Sequence, residues 1–251
     1  MTTSLPPRRA SRAYCAYTVL LCLVPLAFIF CNWQWHSAAD QNLPLLPLLL
    51  ITESGSMPYA VATSALFIAL LCRHNRRRLP LKAFLCLIAL SIICTQLEQK
   101  LLKQHFALAR PYIAAINQEQ QRSNQDFYAL EKTEKQAIVR DWHQQQGKNA
   151  WLSRHRIQEI AYRFPSGHSI FSVSWVLLFV VFCSYRWLTF AVALWSAAVM
   201  ASRVWLGMHL PADLLGGIFY AFWTNLLLIA LFYQYLKRYQ EKPQENPHSQ
   251  A

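Results

Sequence analysis

Long apolar runs alternate with short polar breaks along the chain. A helix needs roughly 20 apolar residues to cross the hydrocarbon core of a bilayer. The pattern predicts six such helices, at about 14–33, 57–72, 81–102, 167–184, 187–206 and 213–236. The second is the shortest. The stretch before it, "NLPLLPLLLITESGSMP", is apolar but broken by Pro44, Pro47 and Pro58, which predicts a half-helix lying at the interface. Between the third and fourth runs lies a polar segment from Gln104 to Tyr162, about 59 residues, long enough for short helices of its own. The expected fold class is all-α: a polytopic membrane protein of six transmembrane helices, one membrane-embedded domain over 1–251, with a helical insertion between spans three and four.

The first run follows Arg8, Arg9 and Arg12, as in a signal peptide. It is longer than the 7–15 apolar residues of a signal peptide, so we read it as a retained span. Orientation follows from the basic flanks. "PPRRASR", "RHNRRRLPLK", "SYRW" and "LKRYQEK" all fall on one side, and residues 34–56 on the other contain no lysine or arginine. Both termini are therefore expected in the cytoplasm and the insertion outside. That is the periplasm if the membrane is a bacterial inner membrane.

Composition fits this picture. Hydrophobic residues make up 55% of the 251, with nine tryptophans and only six glycines, a polytopic rather than a soluble profile. The net charge of +12 does not indicate a nucleic-acid partner, because the basic residues sit in short blocks between apolar runs and no binding motif accompanies them. The seven cysteines lie in or at the ends of apolar runs. They read as buried thiols rather than a disulfide framework or zinc site.

Three polar segments reach the outer side. Span three leaves through "KLLKQHFALARPYI", span four starts at "YRFPSGHSIF", and spans five and six meet at "SRVWLGMHLPAD". Lys103 and Arg110 are seven residues apart, which on one helix gives them a common face and about 10.5 Å between Cα atoms. Taken alone, the pair also fits snorkelling interfacial cations. Pro111 is expected to end the helix at Arg110. Ser166 suits an N-cap, and Gly167 lets another group approach the backbone. The free N–H groups there could hold a phosphate oxygen, with His168 in the same turn, although an ordinary capped helix fits as well.

Arg203 near the end of an apolar run calls for a partner or a function, since a charge at the bilayer centre costs on the order of 2.5–3.5 kcal/mol. His209 precedes a helix start at Pro211. Asp213, four residues on, could take the proton of one ring nitrogen and leave the other as a nucleophile, or could merely cap the helix with it. Together the segments supply three cations, a possible amide cradle, two histidines and a carboxylate, the equipment for metal-independent phosphoryl transfer. Glu159, shortly before "PSGH", reads as a surface carboxylate, with a reach into the pocket as the alternative, and His36, His105, His143 and His155 read as solvated. Gln96 and Glu98 are expected to face the bundle interior, and Glu53 with "TESGS" is a candidate wall of a lipid entrance.

"KQHFALARP", "PSGH" and "SRVWLGMHLPAD" in this order resemble the three-part signature of the type 2 phosphatidic acid phosphatase (PAP2) superfamily. That signature has a lysine with six residues between it and Arg-Pro, then Pro-Ser-Gly-His, then Ser-Arg with a histidine after five residues and an aspartate after three more. The resemblance covers roughly residues 10–240 and is weakest in the insertion and the tails. It implies that His209 attacks phosphorus to form a phosphohistidine, that Asp213 orients it, and that His168 protonates the leaving oxygen and then activates water. It assigns Lys103, Arg110 and Arg203 to the phosphate oxygens, helped by Ser166 and Gly167. The implied activity is hydrolysis of a lipid phosphomonoester or diphosphate, such as phosphatidylglycerol phosphate, undecaprenyl diphosphate or phosphatidic acid, with no metal and no cofactor. The implied partners are the bilayer and its lipid phosphates, with no nucleic acid and no obligate protein partner. A lipid-to-lipid phosphotransferase on the same site, or a six-span transporter, are the alternatives.

Overall fold

The computed structural model describes residues 8–41 and 45–241. Pro44 and the outermost parts of both basic tails lie outside the described residues. Every regular element among the described residues is helical. In chain order these are α1 (Arg8–Phe30), a 3₁₀ turn (Ser37–Gln41), α2 (Leu45–Glu53), α3 (Tyr59–Asn75), α4 (Leu81–Phe106), α5 (Pro111–Glu119), α6 (Asn124–Ala129), α7 (Lys132–Gln145), α8 (Ala150–Gln158), α9 (Gly167–Phe182), α10 (Arg186–Trp205) and α11 (Pro211–Glu241).

Four of them, α1, α4, α10 and α11, are long and apolar enough to cross a membrane. Helices α3 and α9 occupy the other two expected positions but have only 17 and 16 residues. At 1.5 Å per residue α9 is about 24 Å long. Its place in the packing explains why a helix this short can be so apolar. It is buried on nearly all sides, with Ile170, Val173, Val176, Leu177 and Phe179 fully enclosed, and it packs against α1, α3, α4, α10 and α11. A helix apolar all round belongs inside a bundle. The surrounding helices carry the exposed apolar surface: Val19 and Leu23 on α1, Leu90 and Ile93 on α4, Leu194 on α10, Leu227 and Leu231 on α11.

Small polar groups pin the bundle. Ser91 on α4 donates to Asn225 on α11 at 2.7 Å, and Asn225 donates to Ser174 on α9 at 2.9 Å. Ser196 on α10 donates to Ser172 on α9 at 2.9 Å. Such bonds specify helix pairing where lipid tails are as apolar as the helices themselves. All seven cysteines are free thiols, but, against expectation, none is buried: Cys15, Cys31 and Cys86 are exposed, and Cys22, Cys72, Cys94 and Cys183 are half-buried.

The insertion is helical, as expected, and has a core of its own. Tyr112, Ile113, Ile116, Phe127, Val139, Trp142 and Leu152 pack together with Leu206 and Met208, and with Leu48 and Leu49 of α2. The insertion is thereby seated on α2 and on the loop after α10. Arg156 fastens the seat. Its guanidinium is fully buried and donates to both oxygens of Asp40, at 2.9 and 3.0 Å, and to the carbonyl of Leu206 at 2.8 Å.

Two expectations need correction. Lys103 and Arg110 do not share a helical face. Helix α4 stops at Phe106 because Ala107 takes a left-handed conformation (φ 47°), and Pro111 opens α5 rather than closing α4. His143 and His155 are not solvated. They are 1% and 3% exposed, and each ring is hydrogen-bonded.

Candidate active site

A cavity of about 640 Å³ gathers residues from six parts of the chain. Lys103 enters from the last turn of α4, and Arg110 from the N-cap of α5. Gly167 and His168 come from the first turn of α9, His209 from the loop before α11, and Glu159 and His155 from the end of the insertion. Met57, Ala60 and Val61, together with Ile92, Gln96 and Gln99 of α4, line its remaining side. The three polar segments, distant in sequence, do meet.

The start of α9 is built as expected. The Ser166 hydroxyl accepts from the Ser169 N–H at 3.3 Å and caps the helix. Ser166 is fully buried and stands behind the cavity wall, with its N–H donating to the Asp213 carbonyl at 3.0 Å. Gly167 lets the Gln99 carboxamide approach, since a Cβ there would lie 2.4 Å from it and the flexible side chain would have to move away. Gly217 on α11 is stricter. A Cβ would fall 2.7 Å from the Ser169 Cβ and 2.9 Å from the Ser166 carbonyl oxygen. Backbone cannot yield as a side-chain tip can. We therefore expect Gly217→Ala to wedge α11 from the start of α9, cost about 1–3 kcal/mol of stability, and lower turnover by roughly 10²-fold through displacement of His168. Thermal unfolding in detergent and phosphate release on the same sample check both parts.

Arg203 is fully buried and sits just behind the wall. It donates to Thr52 Oγ1 and His155 Nε2, both at 2.8 Å, and to Glu159 at 3.3 Å. His155 in turn bonds Glu53 through Nδ1 at 2.6 Å. Because Nε2 accepts from arginine, His155 is the neutral Nδ1–H tautomer. Burial lowers its pKa further, and the Glu53 hydrogen bond only partly opposes this.

Glu159 is the main surprise. Its Oε2 accepts from Arg110 at 2.9 Å and Arg203 at 3.3 Å, so one carboxylate oxygen joins two cations. Burial raises its pKa, but the Arg110 and Arg203 charges prevail and hold it well below the usual carboxylate range. Its place shortly before "PSGH" made a pocket position the less favoured alternative, and nothing local marked it as the partner of two arginines. The signal lay in charge balance, since two arginines buried together need a counter-charge. Arg110 Nη1 and Arg203 Nε remain buried donors without a hydrogen-bond partner among the described residues.

His209 is 1% exposed. Burial, followed by the charges of Arg110, Arg203 and Lys103, pushes its pKa well below the ordinary imidazole value. A neutral ring keeps a lone pair at pH 7. Its Nδ1 lies 3.4 Å from Asp213 Oδ2, close but without hydrogen-bond geometry. Asp213 is fixed by other donors: the Leu210 N–H meets Oδ2 at 2.8 Å, and the Arg163 guanidinium pairs with Oδ1. Arg163, three residues before the helix cap, was not singled out from sequence. Glu98, expected to turn inward, accepts from Thr224 of α11 at 2.8 Å. His36 and His105 are exposed, as expected.

These residues can bind an anion among fixed cations, present a neutral imidazole to it, and place a second imidazole on the same cavity. Known proteins resemble this chain over most of its length. Phosphatidylglycerophosphatase B of Haemophilus influenzae is 31% identical over 223 residues, covering 85% of this chain and 92% of that protein. The Escherichia coli K12 protein of the same name is 29% identical over 214 residues, covering 82% and 83%. The sequence profile of the PAP2 superfamily matches residues 79–238, a stretch that holds Lys103, Arg110, Ser166, Gly167, His168, Arg203, His209 and Asp213, and the chain belongs to that superfamily.

Proposed function

We propose that the protein is a membrane-embedded lipid phosphatase that works through a phosphohistidine. The carrying observation is the convergence of Lys103, Arg110, His168 and His209 on one cavity whose other wall is partly apolar. In the first step the free ring nitrogen of His209 attacks phosphorus as the bond from phosphorus to the lipid oxygen breaks, and His168 gives that oxygen a proton. In the second, water attacks the phosphohistidine, His168 takes the water's proton, and inorganic phosphate leaves. Lys103, Arg110 and Arg203 neutralise the phosphate oxygens, and the N–H groups at the start of α9 add to them. Asp213 orients His209 by accepting a hydrogen bond from Nδ1–H once the ring closes the present 3.4 Å gap, and Ser166 acts by fixing the α9 cap.

The substrates are lipid phosphomonoesters and diphosphates: phosphatidylglycerol phosphate, as the names of the relatives suggest, undecaprenyl diphosphate and phosphatidic acid. We place α1, α3, α4, α9, α10 and α11 as six spans of a bacterial inner membrane. Both termini are then cytoplasmic, and the insertion and cavity face the periplasm. The asymmetry of lysine and arginine in the flanks supports that orientation.

A phosphate-release assay over a panel of these lipids tests the activity, and product analysis with a labelled lipid and an acceptor alcohol tests whether water or a second lipid takes the phosphoryl group. Retained turnover after exhaustive treatment with a metal chelator is expected, because imidazole and guanidinium groups do the work assigned to a metal elsewhere. Activity lost to the chelator and restored by a divalent ion would overturn that mechanism.

A further inference from the structure

The turn that ends α2 lies outside the stretch matched by the superfamily profile, yet it touches two site residues. The Ser56 hydroxyl is 2.8 Å from His168 Nε2. Thr52, four residues earlier, accepts from Arg203 at 2.8 Å. Gly55 brings the backbone so close to His168 that a Cβ there would meet ring atom Cδ2 at 3.0 Å. The turn is held from outside as well. Thr63 of α3 donates to the Ser54 carbonyl at 2.8 Å, and the Trp195 indole of α10 donates to the Ser54 hydroxyl at 2.9 Å. Two helices thus fix the segment that fixes the ring.

Proton accounting gives the contact a direction. When His168 is the acid and carries a proton on each nitrogen, the Ser56 hydroxyl can only accept at Nε2, and the Thr52 carbonyl, 3.4 Å away, accepts the hydroxyl's own O–H. Nδ1 of His168 has no hydrogen-bond partner among the described residues, and the residue lines the cavity. Nε2 is tethered, and Nδ1 is the nitrogen left to meet a substrate oxygen.

We propose that Ser56 is a positioning residue for His168, holding the imidazole by Nε2 so that a second proton, carried in by the monoanionic phosphate group and held on Nδ1, meets the oxygen leaving phosphorus. The proposal rests on the reading of His168 as the acid of the first step. A lipid alkoxide is a poor leaving group and needs that proton. A nitrophenolate leaves without one. Loss of the tether therefore falls selectively on alkyl phosphates, whereas general damage to the site falls on both.

The test compares kcat/KM for a lipid phosphate and for p-nitrophenyl phosphate in wild type, Ser56→Ala, Ser56→Thr and His168→Ala, in detergent. This parameter reports phosphoryl transfer to His209 and not the later hydrolysis. The expected result is a fall of the lipid-to-aryl ratio by roughly 10–10²-fold in Ser56→Ala, with Ser56→Thr recovering most of it. An unchanged ratio in Ser56→Ala, with both substrates equally slowed or neither, overturns the proposal when His168→Ala does lower the ratio. An unchanged ratio in His168→Ala instead removes the acid role of His168 and, with it, the proposal's basis.

Discussion

Replacement of His209 by alanine is expected to lower phosphate release from every lipid substrate by on the order of 10⁴-fold or more. The ring is enclosed, kept neutral by burial and by the arginine and lysine charges, and placed beside Asp213. No other group in the cavity combines a lone pair with that position. Glu159 is already committed to two arginines, and His168 is tethered to Ser56. Binding should survive better than turnover, because Lys103, Arg110 and Arg203 remain. Rapid quench with labelled substrate should reveal an acid-labile, base-stable phosphoenzyme in the wild type and none in His209→Ala. Appreciable turnover by that variant would remove the nucleophile from the scheme.

The second large effect is on stability. Arg156→Met should destabilise the protein by about 3–5 kcal/mol, because it strips the main counter-charge from a buried carboxylate. Asp40 would keep Lys148 as its one remaining cation among the described residues, at 3.2 Å, and the Trp35 indole N–H, at 3.1 Å. Arg156 also lies over the Trp35 and Tyr112 rings, at 4.9 and 5.3 Å, so the loss includes packing. The double variant Arg156→Met, Asp40→Asn should recover part of the loss, since no uncompensated charge then remains. The pH dependence has a definite sign. Burial raises the Asp40 pKa, but the Arg156 charge and hydrogen bonds, with Lys148, bring it below the usual carboxylate value. Its contribution is therefore complete above the unfolded value of about 3.9 and lost as pH falls through the lower, folded value. Thermal unfolding in detergent should show that acid limb in the wild type and a weaker one in Arg156→Met.

The six apolar runs located six helices to within a few residues, because apolar length is a strong signal where lipid or a buried bundle surrounds a helix. The sequence could not separate those two surroundings. Helix α9, read as a span like the others, is the one shielded by its neighbours. The site residues with motif spacing were legible, and the groups that hold them were not. Glu159, His155, Arg163 and Ser56 act through contacts between distant positions: 44 and 48 residues separate Glu159 and His155 from Arg203, 50 separate Arg163 from Asp213, and 112 separate Ser56 from His168. No local periodicity encodes such pairs. The face shared by Lys103 and Arg110 failed for a simpler reason: one left-handed alanine ended the helix before the second residue was reached.

The enclosure of α9 has a consequence for the membranes in which the protein can work. A helix about 24 Å long is shorter than the roughly 30 Å hydrocarbon core, and facing lipid it would tilt or thin the bilayer around it. Because its neighbours cover it, changes in acyl-chain length press on the outer helices instead. The histidine at its tip is thus shielded from direct hydrophobic mismatch, whereas Lys103 and Arg203, on outer helices, take its strain first.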